Sequence, residues 1–443
     1  MKNNKKIKIL AQLLNVVIIF GVFIFMFIFG LFFTRTQRSD YDKDLKKFPT
    51  FTISTFLSGD YTADIASWYT DTIHNRDRFK DMAAKIKYYY GVKKDEEVFG
   101  TVDIPDEETE SSDIVSSDII SSDIVSSESS SSEVSSEPPV NQDEEIAKGI
   151  LILGTRAMEL DYGSIKYGTR YAQALNEYAK QLEGKSKVYS MVIPKSCAYY
   201  MQESKNEEYR RVASLTPKNL NNIRDNLDGV IEVDVYNTLL KHTKEEIYCR
   251  TDHHWTGLGA YYAAQELAKV AGVDFADIST YEKNVRPGYV GTMYKFTGNS
   301  AKLLNNPEDF VTYIPSTPYT ASYYTTSFEY KGDNSIFYPM SDAQRSSWYS
   351  TYIGGDNNVV KITSGTCKNG RKLLILKDSY GNALSPYFLN SFEEVYMADI
   401  RHFQKNVISF VEEQGITDTV FAMCTFSAMS KDRINDIEKL RTR

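Results

Sequence analysis

The chain holds five histidines in 443 residues, and two of them stand side by side in TDHHWT, residues 251–256. Asp252 and His254 are two positions apart. In an extended segment such side chains point the same way, so the carboxylate can hold the imidazole in one tautomer and leave its other nitrogen free. His253 is then expected to point away. An imidazole held like this is a general base for a hydroxyl, which is a weak nucleophile without one. A suitable hydroxyl is Ser379 in LLILKDSYGNALSPYF, residues 373–388, where an apolar run stops at Lys377 and a helix is expected to begin near Ser379. A serine at a strand-to-helix turn sits beyond the carboxyl end of a strand, where open α/β sheets bind ligands. Free backbone N–H groups at the helix start can stabilise an oxyanion there. Serine is also a favoured helix N-cap, so this motif alone leaves capping and catalysis both open. TDHHWT likewise has two rival readings: a metal site of Asp252, His253 and His254, or a polar helix start. Adjacent histidines rarely ligate one ion together, and His402 is the only plausible distant partner. The triad reading is therefore preferred, and no metal or cofactor is expected.

These residues need a scaffold that brings together two segments more than a hundred positions apart. Strand-like stretches at 148–154, 186–194, 229–236, 371–379, 393–400 and 417–426 alternate with helical patterns at 167–182, 217–227 and from Thr256 or Gly257 to Ala271. Such alternation implies parallel βαβ units and an α/β sandwich. From about residue 275 to 365 the rhythm breaks into a Tyr-, Thr-, Ser- and Asn-rich insertion expected to form β-hairpins and loops. Its tyrosines, among them Tyr289, Tyr294, Tyr313, Tyr319, Tyr323, Tyr324, Tyr330 and Tyr338, are candidates for stacking on sugar rings. Arg401, after the strand at 393–400, should border the same cleft, where it could bind an acidic group or an acyl oxygen, or sit in a structural ion pair.

Upstream the chain changes character. Residues 9–33 carry no charge, and Lys2, Lys5, Lys6 and Lys8 precede them. A run longer than about 20 apolar residues suits one transmembrane helix, and the lysines favour a cytoplasmic N-terminus at residues 1–8. The exit lacks the small residues of a signal-peptidase site. A single-pass membrane protein is expected, with everything after Thr34 extracytoplasmic. Residues 34–102 contain a helical region. Residues 103–145 decay from an SSDIV-type repeat into serine and glutamate, with no aromatic residue. That composition reads as a disordered linker, and 146–443 as the α/β domain with its insertion. The net charge of −8 argues against general nucleic-acid binding. Four cysteines without a CxxC pair argue against zinc ribbons and thioredoxin-like motifs. A disulfide at Cys249 would brace the neighbouring Asp252.

TDHHWTGLGAYYAAQELA followed by LKDSYGNALSPYF resembles the DHHW protein family, and LSGDYTADIASWYTDTIHNRDRFK and PGYVGTMYKFTGN look like that family's leader and central segments. The resemblance covers about residues 45–100 and 146–430. It implies an SGNH-hydrolase-like three-layer sandwich with a parallel sheet, akin to extracytoplasmic polysaccharide O-acetylation proteins, including those of alginate. By the same resemblance Ser379 is the nucleophile, His254 the base and Asp252 its orienting carboxylate, in a chain order reversed from ordinary GDSL esterases. SGNH enzymes add a glycine and an asparagine as oxyanion donors. Gly298 with Asn299, or Gly381 with Asn382, could fill those places, and Trp255 and Arg401 are further candidates for substrate or oxyanion contact. The implied reaction is acetyl transfer to a cell-envelope or secreted polysaccharide, with a multispanning membrane acyltransferase as the partner that delivers the acyl group. An esterase with the same triad and a non-enzymatic glycan-binding protein are the alternatives.

Overall fold

The computed structural model describes residues 149–443 throughout, together with 47–72, 96–99 and scattered positions between 13 and 28 and between 78 and 86. The linker at 103–145 lies outside the described residues, as does most of the apolar stretch 9–33. No helix among the described residues is long and apolar enough to cross a membrane. The chain forms two compact units, one comprising Met1–Val92, Asn299–Asn305 and Asp342–Gln344 and the other the rest. The first holds helices α1 (Ile53–Ser58) and α2 (Asp60–Thr72). Thr52 starts α1 by accepting the Thr55 N–H at 3.1 Å. These helices lie within the helical region expected at 34–102.

The second unit opens with a three-stranded antiparallel sheet of β1 (Glu96–Phe99), β2 (Ile150–Leu153) and β3 (Arg156–Glu159). The expected first strand at 148–154 therefore forms a hairpin here and does not join the main sheet. The main sheet contains β4 (Lys187–Ile193), β5 (Ile231–Glu232), β8 (Tyr319–Tyr324), β9 (Tyr330–Asp333), β10 (Val359–Ser364), β11 (Lys372–Lys377), β12 (Glu394–Asp399) and β13 (Asp418–Cys424). Their order is β5-β4-β13-β11-β12-β10-β8-β9. Pairing is parallel from β5 to β12 and antiparallel from β12 to β9. The sheet is thus mixed, not parallel throughout, because the insertion supplies three antiparallel strands. The insertion also forms the hairpin of β6 (Tyr281–Tyr289) and β7 (Glu308–Pro315).

Side-chain alternation builds the layers. Leu373 and Ile375 of β11 and Val420 and Ala422 of β13 join one apolar cluster with Ala260, Ala263, Ala264 and Leu267 of helix α5 (Gly257–Ala271). Leu374, Leu376, Phe421 and Met423 face the other way, into a second cluster. There they meet α3 (Ile165–Gln181), α6 (Val407–Gln414) and α7 (Lys431–Thr442). Period-two strands with both faces apolar need a helical layer on each side, and three layers result.

Helix α4 (Glu207–Asp225) begins ten residues before the expected 217, although Pro217 lies inside it. Asn206 caps it, and Val212, Ala213, Thr216, Asn219 and Ile223 are buried along its length. Packing outweighs the hydrogen bond that a proline removes. The expected strand at 229–236 shortens to β5, because Asp234 caps a new helical turn by accepting the Asn237 N–H at 3.0 Å. All four cysteines are free, so no disulfide braces Cys249. Tyr289, Tyr294, Tyr313 and Tyr323 are core residues and offer no sugar platform; Tyr330 is exposed.

Candidate active site

The parallel strands β4, β13, β11 and β12 end on one edge of the sheet, and the turn after β11 carries Ser379. The helix expected there is a short 3-10 segment, Ser379–Leu384. Its cap is Asp378, whose Oδ1 accepts the Tyr380 N–H at 3.0 Å while Oδ2 accepts the Cys424 N–H at 2.8 Å. Ser379 is therefore released from capping, and the hydroxyl of this partly buried residue stands 2.9 Å from His254 Nε2.

TDHHW is a loop and not an extended run. Tyr248 and Trp255 form an isolated antiparallel bridge, and the Cys249 N–H donates to the His254 carbonyl at 3.1 Å. Within the loop Asp252 Oδ1 accepts the His254 N–H at 3.0 Å and the ring Nδ1 at 2.7 Å. An aspartate bonding two residues ahead in this way sets a tight Asx turn. The Asp252 bond puts the His254 proton on Nδ1 and leaves Nε2 as the acceptor for the Ser379 hydroxyl. Asp252 Oδ2 accepts both the backbone N–H and the hydroxyl of Thr292, each at 2.9 Å. Burial works against the Asp252 charge, but His253 and His254 and the bonds from His254 and Thr292 hold its carboxyl far below the usual carboxylate range. Gly291 makes this approach possible: a Cβ there would lie 2.4 Å from the Asp252 Cβ. Upstream, buried Glu308 accepts the Arg250 and Thr251 N–H groups and the Thr251 hydroxyl, which anchors the loop.

The two loops are tied directly. The buried Trp255 indole donates to the Tyr380 carbonyl at 2.9 Å, and the Tyr380 hydroxyl donates to the His253 carbonyl. Trp255, expected as a substrate contact, is thus fully buried in the role of a tie. Tyr349 stacks on the His254 ring at 3.7 Å and 4° between planes, and its hydroxyl also reaches the Tyr380 carbonyl, at 3.0 Å.

His253 does not point away. Its ring lies 3.8 Å from that of His254, and its Nδ1 is 2.8 Å from the Thr292 hydroxyl. The bend in the loop removes the alternation that an extended segment would have had. A buried ion pair between Lys195 and Glu159, at 2.7 Å, stands near both imidazoles. Ligand atoms of Asp252, His253 and His254 lie within 4.8 Å of one another. A cation there would have to break the Asp252–His254 bond or the His254–Ser379 bond.

The remaining candidates make other contacts. The Gly381 N–H donates to the Asp378 carbonyl, and a Cβ at 381 would lie 2.5 Å from Lys377 Cβ. Asn382 Nδ2 donates to Asp356 at 2.7 Å. Arg401 binds Asp399 through two nitrogens and Asp356 through one, each at 2.8 Å. Buried Lys377 completes this network, 3.4 Å from both aspartates. Gly381, Asn382 and Arg401 therefore brace the Ser379 turn: the Gly381 N–H, Asn382 Nδ2 and the Arg401 guanidinium are engaged there, while the buried Asn382 Oδ1 has no partner among the described residues. Gly298 and Asn299 both adopt left-handed backbone, at φ 62° and 67°, and Asn299 groups with the first unit. His402 belongs to the turn after β12, its N–H donating to Asp399.

Sequence reasoning missed Thr292, Gly291 and Tyr349. The first two lie inside PGYVGTMYKFTGN, so a signal was present; Tyr349 carried none.

Comparison with known proteins bears on this arrangement. A family model described as DHHW protein matches residues 41–146 and 109–398. A DHHW family protein from Eubacterium siraeum is 40% identical, with a TM-score of 0.61, over 68% of this chain and 97% of that one. Bacillus cereus PatB1, in a structure with a sulfonyl adduct, is 18% identical with a TM-score of 0.54, over 65% of this chain and 97% of that one. The O-acetyltransferase domain of Pseudomonas putida AlgJ is 14% identical, over 63% of this chain and 90% of that one, and its TM-score of 0.38 is too slight to argue from. No curated protein matches the sequence. Since the family model runs across both the leader helices and the two loops that meet at Ser379, and a close structural relative shares the fold, the chain belongs to the DHHW protein family.

Proposed function

We propose that this DHHW protein transfers an acyl group, acetyl in the simplest case, to a hydroxyl of a cell-envelope or secreted polysaccharide through an acyl-Ser379 intermediate. The observation that carries the reading is the continuous chain from Ser379 Oγ to His254 Nε2 at 2.9 Å and from His254 Nδ1 to Asp252 at 2.7 Å. Ser379 Oγ attacks the donor carbonyl and His254 takes its proton. Asp252, ionised and fully hydrogen-bonded, stabilises the imidazolium. The proton then goes to the leaving oxygen as the donor ester bond breaks. In the second half a sugar hydroxyl gives its proton to His254 and attacks the acyl-serine, and Ser379 leaves with that proton. The Ser379 backbone N–H, which makes no hydrogen bond among the described residues, is the oxyanion donor assigned here. Tyr349 and the Trp255–Tyr380 tie hold the base and the nucleophile turn in register, which is the positioning that an acyl transfer needs.

Ser379 is only partly buried, and water can resolve the same intermediate. The second reading, an esterase, rests on that opening. We further infer that residues 9–33 anchor the chain in the cell membrane with residues 1–8 in the cytoplasm and 146–443 outside, on a 103–145 tether. A multispanning membrane acyltransferase would then supply the acyl group. Support comes from the lysine-flanked apolar run. The test is to give the full chain an acetyl ester with and without an oligosaccharide and to follow both free acetate and acetylated sugar. Transfer predicts acetylated sugar that disappears in Ser379→Ala. Acetate alone supports the esterase, and full turnover by Ser379→Ala refutes both. The PatB1 structure contains a sulfonyl adduct, and a sulfonyl fluoride is a second probe, expected to label Ser379.

A further inference from the structure

The mechanism above leaves one polar side chain of the site unused. His253 Nδ1 lies 2.8 Å from Thr292 Oγ1, and that hydroxyl donates its single hydrogen to Asp252 Oδ2. Oγ1 can therefore only accept from the imidazole, so His253 carries its proton on Nδ1. Burial and the His254 ring beside it push the His253 imidazole down to about 4, so the ring is neutral at neutral pH. Nε2 then presents a lone pair. The His253 side chain is 23% exposed, and Nε2 makes no hydrogen bond among the described residues. With the ring centroids 3.8 Å apart, the open acceptor sits beside the base that must take a proton from the acyl acceptor.

We propose that His253 Nε2 accepts a hydrogen bond from a second hydroxyl of the acceptor, next to the one that reacts, so that the site prefers vicinal diols such as those of a sugar ring. The reacting hydroxyl cannot serve both imidazoles, since its one proton goes to His254 as its oxygen bonds to the acyl carbon and the Ser379 Oγ–acyl bond breaks. A neighbouring hydroxyl keeps its proton and can donate it to His253. An ether at that position cannot. His253 is in this account a specificity-determining residue, and Thr292 fixes the tautomer that makes it one. The inference rests on the acyl-Ser379 reading.

The test loads the full chain with p-nitrophenyl acetate and offers trans-1,2-cyclohexanediol and its monomethyl ether in competition, with the two acetylated products measured by gas chromatography. One neutral hydrogen bond corresponds to about a fivefold preference for the diol after correction for its two hydroxyls. His253→Phe and Thr292→Val should both bring the ratio to about one. The ratio is internal to each reaction, so partial misfolding or a slower overall rate does not move it. Acetyl-Ser379 that shows no diol preference in the wild type, that keeps its preference in both variants, or that passes only to water overturns the proposal while leaving the nucleophile in place. Absence of acetyl-Ser379 removes the acyl-transfer reading and this inference with it.

Discussion

Replacing Asp252 with asparagine tests the proposed triad at its least replaceable point. The carboxylate receives four hydrogen bonds, two on each oxygen: the His254 N–H at 3.0 Å and ring Nδ1 at 2.7 Å on Oδ1, and the Thr292 N–H and hydroxyl, each at 2.9 Å, on Oδ2. An amide has one acceptor oxygen and an NH2 group, so one of these two sides must face donors with donors. Each side contains a fixed backbone N–H and one adaptable partner, the imidazole or the hydroxyl, so neither amide orientation escapes the conflict. With the NH2 toward His254, the ring must move its proton to Nε2 and can no longer accept from Ser379. With the NH2 toward Thr292, the tautomer survives but the negative charge that steadies the imidazolium is gone. At an effective dielectric of about 20, a unit charge about 4 Å away is worth about 4 kcal/mol, or about a thousandfold in rate. Tautomer loss adds to this, and we expect Asp252→Asn to cleave an acetyl ester, and to react with a sulfonyl fluoride, about 10³- to 10⁴-fold more slowly. Circular dichroism should show the fold intact. A loss below about tenfold in a folded variant would refute the reasoning.

Other consequences follow from the same contacts. Gly291→Ala would put a Cβ 2.4 Å from Asp252 Cβ and 2.6 Å from its Oδ2, so denaturant titration should show a loss of about 1–3 kcal/mol, with ester cleavage falling further than stability does. Lys377→Met leaves Asp356 and Asp399 with Arg401 as their charged partner, and should cost about 3–5 kcal/mol in the same assay. Against the effect of burial, the Lys377 and Arg401 charges hold Asp356 and Asp399 below the ordinary carboxylate range. Their contribution is complete above about pH 4, the unfolded carboxylate value, and is lost as the pH falls below it. Stability should decline earlier as well: the unfolded imidazole takes up a proton near about pH 6.5, whereas His253 in the fold resists until about 4. Unfolding free energy measured against pH should therefore fall from about pH 6.5 downward, and His253→Phe should remove that part of the slope. Chelators should leave ester cleavage unchanged; a loss restored by zinc would favour the Asp252–His253–His254 group as a metal site.

What was legible in the sequence depended on how local its cause was. Helix α5 was readable at both ends because Thr256 and Gly272 act within one turn of their own positions. Strands β4, β11, β12 and β13 were readable because both of their faces are apolar. Strands β8, β9 and β10 were hidden in a stretch rich in Tyr, Thr and Ser, and their antiparallel pairing with β12 depends on partners distant in sequence. Pro217 suggested a helix start, and only buried contacts along α4 show otherwise. At the site the residue types of TDHHW and KDSYG singled out Asp252, His254 and Ser379, which the structure brings together. The direction of His253 did not follow, since it depends on a bend closed by Tyr248 and Trp255. Nor did the fate of Arg401, whose partner Asp356 lies 45 positions upstream in another loop.

The central claim is that the His254–Ser379 pair makes this hydroxyl a nucleophile. Rapid acid quench of the full chain after mixing with an acetyl ester, followed by peptide mass spectrometry, measures that directly. The account predicts acetyl on Ser379 in the wild type and its absence from His254→Ala. Acetyl found on another side chain, or formed equally fast on Ser379 without His254, would contradict it.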